Sequence, residues 1–381
     1  MVTETVSRSG FKSNLTSQQK ETLDSFRKAL HDDGILHDGD TIGTDDAALL
    51  RYLRARKFDL PKSKALFAKA QAWRKDPCGE GLTIDQLYVR MDPFDFDKRT
   101  EIMQYWPMFF HGVDREGRPL NIQAFGNFDV AKLQAVETPE YHWKSVCLNA
   151  ESLTREVLPA SVKAAGGRDL DGNVSIVDLK GFTLGQFWQV KALAKRSFGL
   201  AQDYYPEGLG RLYIVNAPSS FTYVWGVMKP WLSKETQEKV NILGTDYAST
   251  LLKYIDAEQL PSTLGGACNC KEGCSLSSRG PWLEGRAERR RADIARFAPE
   301  LAEDSKADEK IDAIPNGHAD TALAKTTSPD DFAVAAEPSQ TTLDQARNDD
   351  TAHGGADMRF AGLRYLYDVH LDNRQRIVVT L

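Results

Sequence analysis

The stretch from Tyr204 to Gly266 constrains this chain more than any other, because two short apolar runs alternate there with two helix-like patterns. Arg211 to Asn216 gathers aliphatic, β-branched and aromatic residues between a Gly and a Pro, which predicts a strand. Phe221, Val224, Trp225, Met228 and Leu232 then recur at three and four, giving one helix face that is unusually aromatic. A second strand is expected at Val240 to Leu243, and a further helix in Asp246 to Ile255. Strand, helix, strand, helix in that order implies a parallel sheet.

The rest of the chain sets bounds on what surrounds that sheet. Its 381 residues suffice for one large domain with extensions or for two domains, and an apolar share of 41% can supply a sizeable core. No run of about 18 apolar residues occurs and the first residues lack the apolar segment of a secretory signal, so membrane contact is expected to be peripheral. A net charge of −6 argues against nucleic acid as a partner. Five cysteines in so long a chain do not make a disulfide scaffold, and the expected compartment is the cytosol.

In chain order, Thr16 with Gln19 fits a capping box ahead of Leu23, Phe26 and Leu30. Thr44 to Asp46 can cap a second helix with Leu49, Leu50 and Leu53 inward, and Pro61 suits the first turn of a third. Two apolar runs around Asp114 to Gly117 read as a hairpin, and Thr138-Pro139 opens a helix expected to reach Pro159. Val174 to Leu179 reads as a buried strand, and Phe187, Val190 and Leu193 as the inner face of another helix. The organisation expected is a flexible N-terminus over 1–15, a helical bundle over 16–90, an α/β domain over 91–284 and a largely disordered tail over 285–381. Arg286 to Phe297 can form a basic helix in that tail, and the apolar character of the last residues has no account in the sequence.

LLRYLRARKFD, VSIVDLKGF and the stretch from YYPEGLGRLYIVNAP onward resemble the CRAL-TRIO lipid-transfer family, over roughly residues 49–282. The closest likeness is to its phosphatidylinositol/phosphatidylcholine transfer proteins. The resemblance implies an N-terminal three-helix bundle and a mostly parallel sheet flooring an apolar pocket, closed by a gate helix made of Phe221, Val224, Trp225, Met228 and Leu232. Taken alone, RYLRARK is a solvated basic face, and Phe221, Trp225 and Met228 would be core. With the resemblance, Arg56, Lys57, Glu207, Thr236 and Lys239 become the phosphatidylinositol headgroup site: a cation for the phosphodiester and mixed donors and acceptors for the ring hydroxyls. Gly208 departs from the family, which commonly places an Arg there.

For a second ligand, phosphatidylcholine, the aligned positions are Phe110, Asn121 and Ala150 where choline-binding members carry tyrosines. The choline cage is therefore largely dismantled and the exchange partner stays open, with Phe110, Asn173 and Ser175 as the second-headgroup candidates because only Ser175, with Asn173 beside it, keeps polar capacity there. The implied activity is extraction, carriage and exchange of a phospholipid between membranes. Phospholipid is then cargo rather than cofactor, and a monomer touches membrane surfaces transiently. A phosphoinositide kinase is a further implied partner, and peripheral Golgi or endosomal membranes are a further location. A carrier or sensor of a sterol or tocopherol-like molecule, regulating a partner protein, is the alternative. No enzyme motif is present, and no nucleophile has a locally placed base. Cys268, Cys270 and Cys274 would suit zinc with a fourth ligand, but none is evident nearby, so free thiols and no metal are expected.

Overall fold

The computed structural model describes residues 9–126, 128–302, 368–371 and 377–380. Its contacts divide the chain into one unit spanning 1–315 and a second spanning 316–381. Three helices open the first unit: α1 (Ser17–Asp32), α2 (Asp46–Ala55) and α3 (Leu60–Arg74). The Thr16 hydroxyl accepts from the Gln19 amide while the Gln19 side chain accepts from the Thr16 amide, so two helix-end donors are satisfied reciprocally. Asp45 and Asp59 cap the next two helices. Leu23, Phe26 and Leu30 share one core with Leu49, Leu50, Leu53, Leu66 and Phe67.

Two short helices, α4 (Ile84–Arg90) and α5 (Arg99–Tyr105), lead into the hairpin of β1 (Met108–Val113) and β2 (Pro119–Ala124). After α6 (Val130–Val136), the helix α7 (Pro139–Ser152) does not end at Pro159 as expected. A π turn at Leu153–Val157 carries it into α8 (Leu158–Ala164), with the Leu158 amide bonded five residues back to the Leu153 carbonyl. Pro159 has no amide hydrogen to donate, and the widened turn before it lets the helix continue across the gap.

The strand and helix alternation follows the expected rhythm: β3 (Asn173–Asp178), α9 (Leu184–Tyr204), β4 (Leu209–Val215), α10 (Phe221–Met228), α11 (Lys234–Glu238) and β5 (Val240–Ile242). The sheet runs β1-β2-β3-β4-β5, with β1 antiparallel to β2 and every other pair parallel. Next, α12 (Ala248–Leu251) is a single turn rather than the helix expected to Ile255. Leu251 and Ile255 nonetheless keep helical spacing and are both fully buried against the sheet face of Leu120, Ile122, Val174, Ile176, Tyr213 and Val215. A one-turn α13 (Cys274–Ser277) and then α14 (Arg286–Phe297) end the first unit's described elements.

Three expectations about domain limits change. Residues 9–15 are held rather than flexible: the Ser13 amide donates to Asp169 at 2.6 Å, and Arg54 donates to the Gly10 carbonyl and lies 4.0 Å from the Phe11 ring centroid. The helical bundle is not a separate body, because Arg74 of α3 donates at 2.7 and 2.9 Å to Glu151 of α7, which is fully buried and also accepts from the Tyr205 hydroxyl. Residues 286–297, placed in a tail, are helical and docked by ion pairs from Arg286 to Asp92 and Glu156. The remaining tail expectation over 303–367 lies outside the described residues, as do residues 1–8. The second unit contributes the antiparallel pair β6 (Asp368–Leu371) and β7 (Ile377–Thr380).

Candidate functional site

The second face of the sheet is where the candidate residues gather. Because side chains alternate along a strand and partners in register point the same way, a row across the sheet can be read from the pairing. Phe110 pairs with Asn121, Asn121 with Ser175, Ser175 with Leu212, and Leu212 with Val240. Leu212 and Ile214 on this face pack with Leu179, Phe187 and the buried Phe221 and Val224 of α10. Trp225, Met228 and Trp231 close over the same cluster, and Leu232 is buried beside it. Phe221, Val224, Trp225 and Met228 therefore pack toward the sheet, while Tyr223 on α10 is 57% exposed.

Two glutamines hold this roof down. Gln202 of α9 donates to the Trp231 carbonyl at 2.7 Å, and Gln237 of α11 donates to the carbonyls of Lys229 and Leu232, each at 3.0 Å. These bonds engage carbonyls where α10 gives way to a short 3-10 turn, that of Lys229 also accepting from the Leu232 amide at 3.1 Å. They also leave the segment tied at its end and packed through apolar side chains.

Set into the apolar face are two polar groupings, in which Asn121, Asn173 and Ser175 are buried. The Asn173 amide group donates to the Ser175 hydroxyl at 3.1 Å, Gln123 donates to the Asn121 side-chain oxygen at 2.8 Å, and Asn121 donates to Asn149 of α7 at 3.4 Å. The structure thus brings Asn173 and Ser175 together, with Ser175 on the row of Phe110 and Asn173 two residues back along the strand. Phe110 itself packs on Val157 and on the fully buried Trp282, with ring centroids 6.1 Å apart.

At the edge of the sheet, the Lys239 ammonium donates to the Leu209 carbonyl at 2.7 Å and lies 3.5 Å from a Glu207 oxygen. Both side chains are about three-quarters buried, and Glu207 adopts φ +56, a left-handed conformation that a non-glycine residue rarely takes. Thr236 lies on α11 just before Lys239, its hydroxyl 3.0 Å from that of Ser233, the cap residue. Lys57 reaches the same short helix, 3.3 Å from Glu235, and is 83% exposed. Four of the five predicted headgroup residues therefore meet at or beside α11. The Arg56 guanidinium donates to its neighbour's carbonyl, Ala55, at 2.9 Å.

Sequence reasoning missed Arg54, which it placed on a solvated face. Burial lowers its guanidinium to about 10, and the charge of Glu207 is the largest effect opposing that. Its position directly after Leu53 and four residues before Phe58, among side chains that pack into the bundle core, was the available signal. The expectation that the three thiols lack a fourth ligand also fails: His111, far away in sequence, lies with Cys268, Cys270 and Cys274 in one cluster. Among the described residues no helix is long and apolar enough to cross a membrane.

This is a mixed α/β protein whose sheet carries a helix-roofed apolar face, with polar groups buried in it and a charged pair at its edge. The chain belongs to the CRAL/TRIO family: the CRAL/TRIO domain matches residues 103–266 and the CRAL/TRIO N-terminal domain matches 11–69. Sec14 cytosolic factor of Schizosaccharomyces pombe is 38% identical over 275 residues, 72% of this chain and 91% of its own length. SEC14 cytosolic factor of Kluyveromyces lactis is 34% identical over 281 residues, 73% of this chain and 89% of its own. The phosphatidylinositol/phosphatidylcholine transfer protein SFH12 of Arabidopsis thaliana is 35% identical over 272 residues, which are 70% of this chain and 47% of that protein.

Proposed function

We propose that this protein extracts a phospholipid from one membrane, carries it beneath α10 and delivers it to another, with phosphatidylinositol as the principal cargo. The observation that carries this reading is the roofed apolar face ending at the Glu207–Lys239 pair. Each methylene withheld from water is worth about 0.8 kcal/mol. A two-chain lipid therefore crosses water only inside an apolar shelter, and exchange between bilayer and shelter is then nearly neutral for the chains. Specificity falls to the headgroup: Lys239 supplies a cation for the phosphodiester, Glu207 and Thr236 supply groups for ring hydroxyls, and Lys57 adds charge at the rim. The names borne by the relatives support phospholipid rather than another lipophile.

The two polar pairs on the same floor, Asn173 with Ser175 and Gln123 with Asn121, favour a second polar ligand group there, consistent with phosphatidylcholine as an exchange partner. A sterol or tocopherol-like cargo needs neither these pairs nor the Glu207–Lys239 pair. In this reading the lipid leaves unaltered, so the protein is a carrier rather than an enzyme and uses no cofactor. It works as a monomer from the cytoplasm, touches Golgi or endosomal membranes peripherally and presents its cargo to a phosphoinositide kinase. The experiment is to purify the full chain from cells and identify the copurifying lipid by mass spectrometry. Phosphatidylinositol at a stoichiometric level is expected. A folded preparation that carries only sterol or another neutral lipophile would overturn the assignment.

A further inference from the structure

Four metal-ligand side chains that the lipid reading does not use converge on the far side of the hairpin. His111 and Gly112 lie in β1 where its register against β2 shifts between Phe110 and Val113, and such a bulge re-aims the side chain it carries. His111 is fully buried. Gly112, at φ +73, donates its amide to the Arg279 carbonyl at 2.7 Å, and a Cβ there would lie 2.4 Å from the Gln259 carbonyl oxygen. The loop carrying the three cysteines therefore closes directly onto the bulge.

The distances within the cluster suit one small ion. His111 Nε2 lies 3.3 Å from Cys268 Sγ, Cys268 Sγ lies 3.7 Å from Cys270 Sγ, and all four donor atoms, with Cys274, fall within 4.8 Å of one another. Tetrahedral zinc with Zn–S near 2.3 Å and Zn–N near 2.0–2.1 Å places its donor atoms roughly 3.5–3.8 Å apart. Thiols that merely pack would also touch at such distances, so the groups around them decide between the two. Ser277 Oγ donates to the Cys274 carbonyl at 3.2 Å and lies 3.2 Å from His111 Nδ1. With its hydrogen so directed, that hydroxyl accepts the Nδ1–H, which leaves the Nε2 lone pair turned to the sulfurs. Arg279 Nη1 donates to Cys268 Sγ at 3.3 Å, which sets a cation beside the sulfurs and orients the first of them. Three thiolates and a dication sum to one negative charge, which Arg279 offsets.

We infer that His111, Cys268, Cys270 and Cys274 form a closed, four-ligand zinc site that staples the loop over 257–279 to the bulge in β1. All four positions are filled by protein, so the ion is structural rather than catalytic. Its place in the fold agrees: just beyond Cys274 the chain delivers Trp282, fully buried on Phe110, with its indole nitrogen bonded to the Ser278 carbonyl at 2.8 Å. The ion would hold this closing segment in register against the sheet.

The test uses the full chain, prepared without chelator and with any affinity tag removed, and elemental mass spectrometry. Close to one zinc per chain is expected. After zinc is stripped, titration with cobalt(II) should give the strong visible bands of tetrahedral cobalt and a near-ultraviolet thiolate-to-cobalt band, without any substitution that could disturb folding. Cys270→Ser and Cys274→Ser should lose most of the zinc, while Cys78→Ser, outside the cluster, should keep it. A folded wild-type chain with zinc far below one equivalent and no cobalt bands would overturn the site. So would zinc retained equally by the cluster variants, or a chain mass showing a native disulfide among these cysteines.

Discussion

Arg286→Ala should destabilise the folded unit far more than an arginine just past the expected domain end would suggest. Its Nη1 and Nη2 donate to the two Asp92 oxygens at 2.9 and 2.7 Å, and its Nε donates to Glu156 at 2.9 Å. The three side chains are only 12, 8 and 10% exposed, so water screens little of the attraction. Burial alone would lower the guanidinium's pKa, yet the bonds and charges of the two carboxylates carry it above the ordinary value. Removing the cation leaves Asp92 to the Arg290 cation, 3.1 Å away, and Glu156 to that of Arg289 at 4.0 Å, a loss of up to about 3–5 kcal/mol. With an unfolding entropy near 2.1 cal/mol/K per residue and a unit of roughly 300 residues, that corresponds to a melting shift of about 5–8 °C. Circular dichroism melts of wild type, Arg286→Ala and the exposed control Arg291→Ala provide the assay. A chain ending after Glu284 should lose at least as much, and one ending after Ala302 should melt with the full chain. If Arg286→Ala and the chain ending at Glu284 both melt like wild type, α14 is an appendage and the reasoning fails.

Other outcomes follow from the same physics. Glu151→Gln should destabilise at neutral pH by leaving Arg74 and Arg155 short of a counter-charge. Burial pushes the Glu151 carboxyl up, but Arg74 and then Arg155 hold it below its usual value. Its stabilising effect is therefore full above the unfolded value near 4.3 and is lost as pH falls through the lower folded one. The variant's stability should thus fall less steeply in acid, as denaturant titrations across pH would show; parallel pH profiles would contradict this. Trp225→Asp should depress transfer of every lipid the wild type carries, since a carboxylate on the roof opposes both closure over chains and entry into a bilayer interface; unchanged vesicle-to-vesicle transfer would refute that role. Lys57→Ala should leave the melting temperature unchanged, because its pair with Glu235 is exposed, while reducing uptake of inositol lipid; a stability loss would recast Lys57 as structural.

The fold was legible where local chemistry and burial agree. Thr16, Thr138 and the stripe of Phe221, Val224 and Trp225 announce their elements through capping and spacing, and the alternation after Tyr204 implies the parallel sheet. The headgroup residues were nameable because the family resemblance supplied them; nothing in the spacing of Glu207 and Lys239 says that β4 and α11 bring them to 3.5 Å. What stayed hidden depends on long-range contact. His111 reads as one strand residue among apolar neighbours until a bulge turns it toward Cys268. Arg286 reads as one of several solvated arginines until Asp92 and Glu156 are placed beside it. Pro159 looks like a helix end because the π turn that accommodates it has no sequence signature.

Transfer of two labelled lipids by wild type and Lys239→Ala shows whether Lys239 reads the inositol phosphate at the mouth of a chain-sheltering face. A charge-assisted bond to phosphate is worth about 1.5–3 kcal/mol, so inositol-lipid binding should weaken roughly ten- to hundredfold. Transfer of any carried lipid lacking the inositol group should be spared, and stability should fall only by the lost bond to the Leu209 carbonyl, about 0.5–1.5 kcal/mol, with the fold kept. Equal loss of both lipids, or unfolding of the variant, would make Lys239 a structural charge and contradict the account.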